Sequence, residues 1–210
     1  MGTKHADVKL VPTPSCTVGP FFPAHYFGAT DNDLTVASAV PGAQRAAGSK
    51  VYIGGCVYEA GRVPRWNGIV ELWQPDAGGR FNHPNDPQHG LADRNFMGWG
   101  RRATEDDGYY DFITVRPGGY EDPLTGATRA PHINVSVMSS GLMRRLVTVF
   151  FFPDELANAG DPVFNAVPDP AVRERMILKP AKLDRAPADA TAYRLDIVLQ
   201  GEDETPFFVD

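Results

Sequence analysis

The sequence has only two cysteines, Cys16 and Cys56, without CxxC spacing, so neither a zinc knuckle nor a disulfide framework is expected. Two free thiols fit a reducing compartment, and a cytoplasmic location is the expectation. Positive charge is also short. Lys and Arg number 20 against 26 Asp and Glu, a formal net charge of -6. A phosphate backbone needs a basic face, so no nucleic-acid partner is expected. No apolar run is long enough to span a bilayer, and the opening residues place Lys4, His5, Asp7 and Lys9 where a signal peptide carries its apolar stretch. Neither a membrane association nor secretion is expected. HExxH, GxSxG, P-loop and GxGxxG patterns are all missing, which leaves zinc hydrolase, serine hydrolase and nucleotide-binding readings without a motif.

What the sequence has is glycine and proline, 21 and 19 residues, a combined share well above the roughly 12% of ordinary proteins. Turns and short strands follow from that composition more readily than long helices. With 42% apolar residues the chain can build a core. Strands are expected at 51–58, 69–74, 109–115, 132–138, 145–152 and 193–200. Val70 and Leu72 alternate with Glu71 and Trp73, and Tyr110, Phe112 and Thr114 share a face. A loop over 76–101, dense in Gly, Pro, Asn and Asp, is long enough to suggest function. Two short helical stretches are expected, at 153–158 and after Asp169, where Pro170 sits at the first helical position behind an N-capping Asp. The expected fold is an all-β antiparallel sandwich of residues 51–210 with long loops and helical decoration on one edge. Residues 1–50 are expected to form an arm draped over another surface, because Phe21, Phe22, Tyr26 and Phe27 are too apolar to stay in water.

Histidine is scarce: His5, His25, His83, His89 and His132. His5 and His25 lie in the arm, and His83 with His89 in the long loop is a weak metal signal. His132 and Asn134 are two apart on a strand and so share a face, where a pair of imidazoles could hold a metal. The second member here is a carboxamide, a poor donor to a redox iron, and the plain reading of that strand is hydrogen bonding inside a partly buried site. Trp66, Trp73 and Trp99 read as core or subunit-contact residues, and the Tyr109–Tyr110 pair as packed between sheets. Phe150, Phe151 and Phe152, with Phe207 and Phe208, read as a permanent interface.

Five fragments in this order and spacing carry a likeness: TPSCTVGPFF, GGCVYEAGRVPRWNGIVELWQPDAGGRF, GWGRRATEDDGYYDFITVRPGGY, RAPHINVSV and YRLDIVLQGEDETPFF. Together they resemble the intradiol ring-cleavage dioxygenases over nearly the whole chain. That resemblance implies a non-haem ferric iron held by two tyrosinates and two histidines, opening a catechol such as 3,4-dihydroxybenzoate with O2 between its hydroxylated carbons. It also implies an enzyme built from two homologous chains, of which only the β-type holds all four ligands.

Set against the family pattern, Tyr120 matches one tyrosinate and His132 the first histidine, while the other two ligands fall on Gln88 and Asn134. The resemblance is therefore to the α-type chain. It implies four vestigial ligand positions, no metal on this chain, an iron on a β partner, and an obligate αβ heteromer within a higher oligomer. Thr17, Gly19 and Pro20 would then line the partner's substrate cavity, the alternative being a structural turn that caps the sandwich. Where some α-type chains place an arginine for the substrate carboxylate, this sequence has Ser140, with Arg144 and Arg145 nearby. Two other readings stand beside this one: a self-sufficient dioxygenase with a variant site of Tyr120, His132 and His89, and a β-sandwich binding module without enzymatic partner.

Overall fold

The computed structural model describes residues 16, 17, 19, 22–37, 40 and 42–208. Eight strands come first: β1 (Lys50–Tyr58), β2 (Gly68–Trp73), β3 (Trp99–Ala103), β4 (Tyr109–Val115), β5 (Tyr120–Glu121), β6 (Thr128–Arg129), β7 (His132–Ser139) and β8 (Leu146–Phe151). Two one-turn helices follow, α1 (Pro162–Asn165) and α2 (Pro170–Arg173), then β9 (Lys179–Pro180), β10 (Thr191–Arg194) and β11 (Ile197–Val198). One sheet is wholly antiparallel, in the order β3-β2-β7-β8. The other is mixed: β1 runs antiparallel to β4 along one edge and parallel to β10 and β11 along the other. The expected all-β sandwich is present, with parallel pairing at that one edge, where the long connection from β1 to β10 makes it possible.

The alternation read from the sequence sets the core. Val51, Ile53, Tyr110 and Phe112 from one sheet meet Val70, Leu72, Ile133, Val135 and Phe150 from the other in a single buried cluster. Each such side chain stabilises the fold by roughly 1.5–3 kcal/mol relative to exposure. Residues 31–35 of the arm join this core. Leu34 is buried in it, its N–H donates to the Ile113 carbonyl at 2.8 Å, and Arg101 donates to the Asp31 carbonyl at 2.8 Å.

Several expectations need correction. The stretch 193–200 is two strands, because the Cys56 N–H donates to the Asp196 carboxylate at 3.0 Å in place of a strand carbonyl. Gly55 lies beside that break, and a Cβ there would sit 1.8 Å from the Leu195 oxygen. The long loop ends earlier than expected, since Trp99 already opens β3. Phe150, Phe151 and Phe152 are fully buried within the chain and offer no interface; Phe207 and Phe208 pack partly buried against the two core clusters. Trp66 and Trp73 are exposed at 63% and 37%, and Trp99 is half-buried, so none of the three belongs to the core. Tyr110 lies between the sheets, whereas Tyr109 faces outward, its hydroxyl 3.0 Å from that of Tyr52.

The helical decoration covers the outer face of β8. Asp169 caps α2 through the Ala171 N–H, as its position before Pro170 implies, but the helix ends at Arg173 and continues as a 3-10 turn over Glu174–Met176. The 153–158 stretch is a 3-10 turn over Leu156–Gly160, capped by Glu155. The sequence reading missed α1, although Asp161 before Pro162 repeats the signal seen at Asp169. Phe164 and Met176 from this region enclose Val149 and Phe151 in a second apolar cluster, at whose edge His132 lies.

Candidate functional site

The turn after β4 positions Tyr120, and it is held from below by the loop that follows β2. Asp76 is nearly fully buried. Its carboxylate accepts from the Gly78, Arg80 and Asp93 N–H groups, and its carbonyl from Gly118. The two segments touch through glycines: Gly79 has φ +77°, and a Cβ there would lie 2.2 Å from the Gly119 oxygen. Only glycine allows both that backbone conformation and that approach. Tyr120 thus leaves the turn in a fixed direction and pairs with Arg129 across β5 and β6.

Around Tyr120 the structure gathers aromatic rings. Phe81 meets it edge-on at 5.1 Å between centroids, and His132 lies 5.6 Å away on its other side. His132 opens β7 and is 1% exposed. Burial pushes its imidazole pKa down to about 4, and the nearby Arg129 guanidinium adds to the effect, so the ring is neutral at pH 7. Its Nδ1 lies 2.5 Å from the Ala130 carbonyl, which assigns the proton to Nδ1. Nε2 is then a bare acceptor, buried and without a hydrogen-bond partner among the described residues.

Beneath these rings lies a buried ion pair. Arg129 donates from Nε to Asp161 at 2.9 Å, and the same carboxylate accepts from the Ala130, Val163 and Phe164 N–H groups. Burial opposes ionisation of Asp161, yet the Phe164 N–H and the Arg129 guanidinium outweigh it and hold the carboxyl below its ordinary range. Burial raises the Tyr120 phenol, an effect Arg129 only partly offsets, so the group is a phenol and not a phenolate.

The other sequence candidates are dispersed. Gln88 lines the same cavity as Tyr120, but it is exposed and its carboxamide oxygen accepts from Arg80 at 3.3 Å. His89 is exposed, with Nδ1 3.0 Å from the Asp86 carbonyl, and it is not among the residues lining that cavity. Asn134 shares a face with His132 but lines a separate hollow on the sheet, together with Trp99, Ser136 and Arg145. Ser140 is held by Arg65, whose guanidinium donates to its hydroxyl at 2.6 Å. Arg144 and His25 are exposed. Thr17 is exposed and Gly19 half-buried with φ +92°, while Pro20 and His5 lie outside the described residues. Residues the sequence reading did not single out are Phe81, Arg129 and Asp161. For Asp161 the signal was present in the Asp-Pro pair.

The donors do not match a ferric site. Tyr120 and His132 come together, but the remaining two positions supply neutral carboxamides, one engaged with Arg80 and the other opening on a different hollow. Trivalent iron favours anionic oxygen and imidazole. Among the described residues, no group of three or more His, Cys, Asp or Glu side chains is placed to hold a metal ion.

The comparisons with known proteins give the family. A family model described as "Dioxygenase" matches residues 17–201. The chain is 37% identical over 207 residues to the protocatechuate 3,4-dioxygenase alpha chain of Burkholderia cepacia, covering 95% of this chain and 98% of that one. It is 36% identical over 188 residues to the beta chain from the same organism, covering 89% of this chain and 79% of that one. Among solved structures, an intradiol ring-cleavage dioxygenase from Tetranychus urticae superposes with a TM-score of 0.59 at 18% identity, over 90% of this chain and 94% of that one, which shows the shared fold. This chain therefore belongs to the intradiol ring-cleavage dioxygenase family.

Proposed function

We propose that the chain is the α-type subunit of a protocatechuate 3,4-dioxygenase, and that it works as an αβ heteromer whose β-type partner binds the ferric iron. The assembly would open 3,4-dihydroxybenzoate between its hydroxylated carbons, both atoms of O2 entering the product 3-carboxy-cis,cis-muconate. Overall identity does not choose between the chain types, since alpha and beta relatives match at 37% and 36%. The observation that carries the assignment is the pair of carboxamides, Gln88 and Asn134, at two of the four ligand positions.

Under this reading the chain contributes surface. Residues 1–50 form an arm that packs on the sandwich and on the partner, and Thr17, Gly19 and Pro20 line the partner's substrate cavity. Gly19 suits such a place because its φ of +92° lets backbone approach a ligand closely. The reading with His89 as a substitute ligand has no support in the geometry, because that side chain is exposed and bound to the Asp86 carbonyl.

The test is to purify the chain alone and after coexpression with a β-type chain, then measure iron, visible absorption and oxygen uptake with 3,4-dihydroxybenzoate. The lone chain should be colourless, iron-free and inactive, and the complex coloured and active. A lone chain with tightly held iron and ring-cleaving activity overturns the proposal. So does a coexpressed pair that does not associate.

A further inference from the structure

The cavity beside Tyr120 has a chemistry of its own. It encloses about 520 Å³, within the range of small-molecule pockets. Trp73, Phe81 and Tyr120 supply its aromatic wall, with Trp73 and Phe81 stacked at 5.7 Å and 14°, and His83 set edge-on to Trp73 at 6.1 Å. Trp73 is an exposed tryptophan that the core does not explain.

Charge around this wall is one-sided. Asp86, Glu121 and Asp122 line the cavity, and among the described residues no Lys or Arg does. Asp86 is fixed by the Phe81 and Gln88 N–H groups, both at 2.6 Å, and Asp122 by the Leu124 N–H at 2.8 Å, so two of the carboxylates are held in place by backbone. Two basic groups stand at its margin and each is paired, so three carboxylates outweigh them. Arg80 reaches Gln88 from an adjoining hollow, and Arg129 is buried against Asp161.

Ring faces carry negative potential and attract cations, most strongly with tryptophan, and carboxylates at the rim add to that field. The same groups repel an aromatic acid. We propose that this cavity binds a small organic cation, an aromatic or quaternary ammonium, against Trp73, Phe81 and Tyr120 with Asp86, Glu121 and Asp122 around it. The inference rests on side chains of this chain alone and stands or falls independently of the β partner.

The test titrates the full-length chain at low ionic strength with phenyltrimethylammonium and, separately, benzoate, which has a similar ring and opposite charge. Calorimetry gives affinity, and tryptophan emission, set against that of a Trp73→Phe variant, reports Trp73. The cation should bind with one-to-one stoichiometry, at least about tenfold more tightly than benzoate, with a change in emission. Phe81→Ala should weaken it about fivefold or more. Glu121→Gln, at an exposed rim position where folding is not at stake, should weaken it by a smaller factor that vanishes in high salt. Equal affinity for the two ligands, no binding of the cation, or a Glu121→Gln variant indistinguishable from the parent at low salt overturns the proposal.

Discussion

His132 and Gln88 occupy two positions of the same expected ligand set, and the structure treats them in opposite ways. His132 stands on a central strand, dry, neutral and locked by the Ala130 carbonyl. Gln88 sits in an exposed loop, with one long hydrogen bond from Arg80. His132 has a packing role beside any ligand role, because its ring fills space against Phe151 at 5.8 Å. A loop residue has no such second role.

The sharpest way to break this comparison is at Asp161. Its removal leaves the Arg129 guanidinium buried without a counter-charge and uncaps α1. Asp161→Ala should cost about 3–5 kcal/mol of unfolding free energy, read from urea denaturation curves, and Asp161→Asn, which keeps the cap, should cost less.

Phe151→Ala beneath His132 should cost about 3–5 kcal/mol, as emptied core positions do, whereas Phe81→Ala on the cavity wall should cost less than half of that. Similar losses at the two sites would show that the cavity wall is as rigid a part of the fold as the strand.

A pH series tests the state of His132. Its folded pKa of about 4 lies below the unfolded value near 6.5. Between these values the unfolded chain holds the extra proton, so the associated stability is complete above pH 6.5 and declines as pH falls towards 4. The loss should approach about 3 kcal/mol, and His132→Gln should flatten the stability profile between pH 7 and 4.5 relative to the parent. The smallest effects belong to the loop. Gln88→Ala and His89→Ala should each change stability by less than about 0.5 kcal/mol, within the range of exposed substitutions.

The sequence made the layers legible because their signal is local. Tyr110, Phe112 and Thr114 announce a buried face within five residues, and all three are fully buried. Asp169 with Pro170 announces a helix start in two. What could not be read depends on contacts distant in the chain. The carboxylate of Asp196 divides a strand by capturing an N–H of β1, and Arg129 finds its counter-charge at Asp161. The phenylalanine run misled because apolar character alone does not say whether a side chain faces its own core or a neighbour. At the site, the proximity of Tyr120 and His132 follows from family likeness, whereas the acidic and aromatic cavity between the two loops depends on the contact of Gly79 with Gly119, far apart in the chain.

Residues 31–35 act as a clasp at one corner of the sandwich. Main-chain bonds tie them to Ile113 on β4 and to Arg101 on β3, so a single short segment grips both layers. Side chains add to the grip: Leu34 and Thr35 are buried, Asn32 donates to the Asp111 carboxylate at 3.1 Å, and the Asp33 carboxylate accepts from Arg45 at 2.9 Å. A load applied to the preceding residues by a neighbouring molecule would be delivered to both layers together, which makes this corner the natural anchorage for whatever the arm holds.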